Sequence, residues 1–142
     1  MSLLLNSKDI NVIQKGQIIM NKAAEKAAGI HRQGYNCAQS VLLALAEHSG
    51  LSDEAATSLG AGFGGGAGCR ELCGAISGAI MAAGMKYSGD RSRINAADRE
   101  LISAFREKFG ALRCADLKAA RIPCDELISF SAEKMDELLR AE

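Results

Sequence analysis

The sequence predicts an all-α protein, a single-domain helical bundle of five or six helices spanning residues 1–142. Three observations lead there. Strand-favouring residues are scarce: Val12 and Val41 are the only valines and Thr57 the only threonine, whereas sheets select β-branched side chains. Alanine, the best helix former, is abundant. Apolar residues recur three, four and seven positions apart between capping signals, and no stretch alternates as a strand would.

The elements follow in order. A first helix is expected from about Ser7 to Gln33, with Ile10, Ile13, Met20, Ala24 and Ala27 as a loose apolar stripe, Gly16 as a dividing point and Gly34 as the stop. Asn36 then caps a second helix, with Cys37 in its first turn, Ala38, Val41, Leu42 and Leu45 inward, and Gly50 at its end. Ser52 caps a short third helix, with Asp53 and Glu54 well placed in its first turn. A fourth helix is expected from Cys73 to about Tyr87, followed by a turn at Ser88, Gly89 and Asp90. Ser92 or Asn95 caps a fifth, whose inward face is Ile94, Ala97, Leu101, Ile102, Phe105 and Phe109. Gly110 stops it, and Cys114 falls in a short connecting segment. Pro123 suits the first position of the last helix, with Cys124 next and Leu127, Ile128, Met135, Leu138 and Leu139 inward.

Charge removes several function classes. With 17 basic and 17 acidic residues the formal net charge is +0. No basic field is available to hold nucleic acid, and no basic run to hold an anionic membrane. The opening residues lack the cationic start and apolar core of a signal peptide. The longest uncharged apolar run, 73–85, is too short to span a bilayer. The expectation is a soluble cytoplasmic protein with no membrane insertion.

Function is expected from the cysteines. Five in one chain are many for a reducing compartment, where recurrent placement points to metal or redox chemistry more often than to structural disulfides. Cys37, Cys73 and Cys124 each fall at a helix start and Cys114 in a connection. A helix N-terminus offers free N–H groups and partial positive charge, which favour a thiolate. Four thiols so placed suit one centre, since iron–sulfur clusters and structural zinc both take four cysteines. The competing reading is that each is a small buried hydrophobe. No C-x-x-C pair occurs, so zinc-ribbon, thioredoxin-type and c-type haem readings lose their main support. Cys69, four before Cys73, is either a ligand paired with it or incidental, and the incidental reading is preferred. His31 and His48 are read as surface or helix-end residues.

Upstream of Cys73 lies the run Gly62-Phe63-Gly64-Gly65-Gly66-Ala67-Gly68. Overlapping it, Gly60-Ala61-Gly62-Phe63-Gly64-Gly65 literally matches the dinucleotide fingerprint G-x-G-x-x-G, but a short helix precedes it where that motif needs a strand. Gly64, Gly65, Gly66 and Gly74 are candidate cofactor-binding positions, where bare backbone can approach a centre closely. Gly74 and Gly78, four apart, form a small-residue face expected to pack on another helix, within the chain or across a homodimer.

Gly34-Tyr35-Asn36-Cys37-Ala38-Gln39, the glycine run, Cys73-Gly74-Ala75-Ile76-Ser77-Gly78 and two late cysteines together resemble the C_GCAxxG_C_C family, four-cysteine proteins of about this length assigned a redox role. By position, the four family cysteines fall on Cys37, Cys73, Cys114 and Cys124, leaving Cys69 outside the set. The resemblance implies a helical protein with a four-cysteine redox or metal centre. The resulting expectation is an electron carrier whose four thiolates ligate an iron–sulfur cluster and which serves an unidentified redox partner. The alternatives are a metal-free thiol–disulfide protein and a zinc-bound or simply packed helical module without catalysis.

Overall fold

The computed structural model describes residues 21–141. Helix α1 (Lys22–Arg32) starts at Asn21, whose side chain accepts from the N–H groups of Ala23 at 2.7 Å and Ala24 at 3.3 Å. Asn21 itself is extended, with ψ 139°, so a helix cannot run unbroken from Ser7 to Gln33. The part of that expectation carried by Ile10, Ile13, Gly16 and Met20 lies outside the described residues.

Helix α2 (Cys37–Ala44) opens on a reciprocal capping box. The Asn36 side chain accepts from the Gln39 N–H at 2.8 Å, and the Gln39 side chain accepts from the Asn36 N–H at 2.9 Å, which satisfies two orphan donors at once. The chain bends at Leu45, and the short α3 (Ala46–Ser49) ends on Gly50 at φ +73°. Helix α4 (Asp53–Gly60) is capped by Ser52. Then come α5 (Gly74–Lys86), α6 (Arg91–Phe109), α7 (Cys114–Ala119) and α8 (Cys124–Arg140).

The described residues therefore form eight α-helices where five or six were expected. The break at Leu45 adds one. The other is α7, a helix where a plain connection was expected, with Cys114 as its first residue. Two caps also differ. Asp90, not Ser92 or Asn95, caps α6, accepting from the Arg93 N–H at 3.1 Å. Pro123 sits at the cap of α8, not inside its first turn.

Helix α5 lies at the centre. Ala75, Ile76, Ala79, Ala82 and Ala83 on it are fully buried, as expected of a helix apolar on most sides. It packs against α2, α3, α6 and α8. Gly78 rests on the backbone of Ala38 in α2; a Cβ there would stand 2.5 Å from the Ala38 carbonyl oxygen. The small-residue face is thus covered by a helix of the same chain. Phe105, Phe109 and Phe130 form a tilted ring cluster, with centroids 4.8–6.1 Å apart, between α6 and α8.

A second packing device is polar. Asp136 of α8 is buried, and its carboxylate faces His48 Nε2 at 2.7 Å, accepts from Arg140 Nε at 3.0 Å, and stands 3.4 Å from the Asn21 side-chain amide. Arg140 also pairs with Glu47 at 2.8 Å. This latch ties α8 to α3 and to the start of α1. His48 does sit at a helix end, but its side chain is only 4 % exposed, because Asp136 gives it a partner inside. No described helix is long and apolar enough to cross a membrane.

A four-cysteine cavity as candidate redox centre

The glycine run sets the site's shape. Asn36, having capped α2, donates through its side-chain amide to the carbonyls of Gly60 and Ala61 at 3.1 and 3.2 Å. Gly64 lies against that same side chain, where a Cβ would approach within 2.7 Å. The backbone then turns left-handed over four successive residues: Gly65 at φ +66°, Gly66 at +67°, Ala67 at +60° and Gly68 at +74°. A non-glycine residue there costs roughly 1–2 kcal/mol, which explains why three of the four are glycine. The turn closes when the Glu71 N–H donates to the Gly66 carbonyl at 3.1 Å.

From this turn the chain pairs briefly with the segment before α7. An isolated antiparallel bridge joins Leu72 to Arg113. The Cys73 N–H donates to the Leu112 carbonyl at 2.9 Å, and the Cys114 N–H to the Glu71 carbonyl at 2.6 Å. Two cysteines 41 positions apart in the sequence are thereby fixed side by side. Gly66 permits this closeness, since its own Cβ would meet Cys114 Cβ at 2.9 Å.

The other two cysteines arrive on helix starts. Cys37 opens α2 and Cys124 opens α8. Gly74, first residue of α5, lies directly against the Cys37 sulfur, and a side chain there would take the sulfur's place. As a result Cys37, Cys73, Cys114 and Cys124 all line one largely enclosed cavity of about 70 Å³. Gly65 and Gly74 complete the thiol side, and Leu117, Ile122 and Leu127 form an apolar wall.

Of the four glycines singled out in the sequence, Gly65 and Gly74 line the cavity. Gly64 and Gly66 do not; they give Asn36, Glu71 and Cys114 room to pack. Cys69 stands outside as well. It is exposed on the loop, with its thiol donating to the Gly66 carbonyl at 3.4 Å. All five cysteines are free thiols.

The charge state of Cys73 departs from the sequence expectation. Burial pushes its pKa up to about 11, and the neighbouring Cys37 and Cys114 add to the rise. The N–H groups of Ala75 and Ile76 at the start of α5 pull it down, but by less. Helix-end polarity loses here because desolvation penalises a buried thiolate more than two backbone dipoles favour it. Cys73 is therefore a protonated thiol at neutral pH unless something positive enters the cavity to replace the proton.

Among the described residues, no three Cys, His, Asp or Glu side chains are gathered closely enough to hold one metal ion. A tetrahedral ion with bonds of about 2.3 Å would draw its sulfurs to within roughly 4 Å of each other. The four thiols border a space instead of a point.

Two features of the site escape a reading of the sequence. Lys118 also lines the cavity, with Nζ 4.0 Å from Cys124 Sγ. Leu117 supplies part of the apolar wall. Both belong to α7; once that segment is known to be helical, the four-residue spacing from Cys114 to Lys118 places the pair on one face.

No curated protein and no solved structure gives a significant match to the chain. Residues 35–138, which carry all five cysteines and the glycine run, match the family described as Putative redox-active protein (C_GCAxxG_C_C), and the chain belongs to that family.

Proposed function

We propose that the protein carries electrons through an iron–sulfur cluster held by Cys37, Cys73, Cys114 and Cys124. The observation that carries this reading is that four cysteines from separate helix starts line one small, mostly apolar cavity. The donor set is chemically suited, since soft thiolates select iron–sulfur clusters, zinc and copper(I). A bordered space also suits a group of several atoms better than one ion. Bound there, a cluster supplies one-electron exchange at a potential set by its surroundings.

The chain's own residues do the rest. Cys73 would release its proton to water as a bound cation takes that proton's place on the sulfur. Gly65 and Gly74 keep side chains out of the space. Leu117, Ile122 and Leu127 exclude water. The partner is a redox protein or small carrier that exchanges single electrons. A reducing cytoplasm suits five unpaired thiols.

One observation favours a second reading, metal-free thiol–disulfide exchange. Backbone pairing holds Cys73 and Cys114 side by side, and Cys37 lines the same cavity, so a pair among them has a short path to a disulfide.

Anaerobic reconstitution with ferrous iron and sulfide, followed by visible absorption and iron analysis, tests both. The expected result is a coloured protein with bound iron and sulfide, a signal lost in Cys73→Ser and kept in Cys69→Ser. A colourless, iron-free protein that loses a pair of titratable thiols on mild oxidation would overturn the cluster in favour of the dithiol.

A further inference from the structure

The geometry points to Lys118 as the residue that sets the reduction potential of the four-cysteine centre. This rests on the proposed electron-transfer reading, but it extends to a residue that neither the sequence pattern nor the family singles out. Among the described residues lining the cavity, Lys118 carries the one charged side chain. Its ammonium stands 4.0 Å from Cys124 Sγ. It lies one helical turn beyond Cys114, so α7 delivers a sulfur and a positive charge to the same wall.

Other cations nearby are placed differently. Arg113 is engaged by Glu71 at 3.3 Å and Asp116 at 3.7 Å. Arg121 is exposed, as Lys118 is, but does not line the cavity.

The direction of the effect follows from charge. Reducing the centre adds an electron to a group already made negative by its thiolates. A fixed positive charge at its edge stabilises the reduced form more than the oxidised one, and so raises the potential. The same holds without metal. Reduction of a disulfide that includes Cys124 frees a sulfur able to accept from the Lys118 ammonium, which favours the reduced pair over the disulfide. The role is one of positioning charge; Lys118 takes no part in the electron transfer itself.

The test compares wild type with Lys118→Met, Lys118→Arg and Arg121→Gln at one fixed pH. For reconstituted protein the midpoint potential is read by anaerobic dye-mediated titration. For metal-free protein it is read by equilibration against glutathione buffers with thiol counting. Lys118→Met is expected to lower the potential, Lys118→Arg to retain most of it, and Arg121→Gln to leave it unchanged.

An unchanged potential in Lys118→Met overturns the inference. So does an equal drop in Arg121→Gln, which would mean a diffuse surface field. If no variant takes up a cluster, the cluster reading fails, and the glutathione arm still decides on Lys118. Thiols that neither take up a cluster nor exchange with glutathione overturn both.

Discussion

Helix α8 joins two polar regions that are built in opposite ways. At its start Cys124 enters a cavity where thiols face one another without being paired. Twelve residues on, about 18 Å along the axis at 1.5 Å per residue, Asp136 enters a pocket where His48, Arg140 and Asn21 all turn toward its carboxylate. Each group has a buried centre, Cys73 with Cys114 at one end and His48 with Asp136 at the other, yet only the second is closed on itself. A closed polar network rigidifies the fold, while the open thiols are the ones that the proposed centre would occupy. On the proposed reading, the molecule is held together at one end and left open for its centre at the other.

The sharpest way to break this comparison is to delete one member at each end. Asp136→Ala leaves three donors facing an empty space and is expected to cost about 3 kcal/mol of folding stability. It should leave the cavity able to assemble its centre at temperatures where the variant is folded. Cys114→Ala should show the reverse, costing about 1 kcal/mol in metal-free protein while abolishing the centre. Urea unfolding of both variants, alongside thiol and iron analysis, measures the two effects separately. Equal stability losses would mean that the cysteine end also holds the fold together.

A smaller effect distinguishes glycines that shape the cavity from those that do not. Gly74→Ala drives a methyl group against the Cys37 sulfur and to 2.7 Å from the Phe63 carbonyl oxygen. The expected cost is about 2 kcal/mol, with loss of cluster uptake. Gly84, ten positions on in the same helix, has nothing within 4 Å of where its Cβ would lie. Gly84→Ala should therefore stabilise the protein by roughly 0.5 kcal/mol and leave the centre intact. Thermal melts of the two variants should shift in opposite directions; a shared direction would remove the claim that Gly74 is there for the sulfur.

The contrast also explains what could be read from the sequence. The helical class was legible because Asn36, Ser52 and Gly110 signal helix boundaries through local chemistry. The cysteines at the starts of α2 and α8 were legible for the same reason. What joins them was not. The pairing of Leu72 with Arg113 depends on two irregular segments meeting, and neither has a periodic signal. Helix α7, six residues long, is too short for an apolar repeat to mark it. The latch was invisible because Asn21, His48 and Asp136 each look like ordinary surface residues until three helices bring them together. Burial likewise reversed the expected charge of Cys73: helix position can be read from a sequence, whereas desolvation depends on packing.

The prediction that tests both ends together is the pH dependence of stability. Burial raises the pKa of Asp136, but hydrogen bonds from His48, Arg140 and Asn21, with the charge of Arg140, outweigh it and hold the carboxyl below its usual range. A depressed carboxylate stabilises the fold fully above its unfolded value of about 3.9 and loses that contribution as pH falls through the lower folded value. The latch should therefore weaken in acid. Cys73 behaves in the opposite sense. Its folded pKa is raised from 9.0 to about 11, so the fold favours the neutral thiol. That contribution is complete below pH 9.0 and is lost as pH rises toward about 11. Metal-free protein should accordingly have a stability plateau bounded by Asp136 on the acid side and Cys73 on the alkaline side. Denaturant midpoints measured across pH give the two limbs. Asp136→Asn should flatten the acid limb alone, and Cys73→Ser the alkaline limb alone. If Cys73→Ser leaves the alkaline limb unchanged, the buried thiol is not what opposes ionisation at that end, and the contrast between a closed latch and an open thiol cavity loses its electrostatic basis.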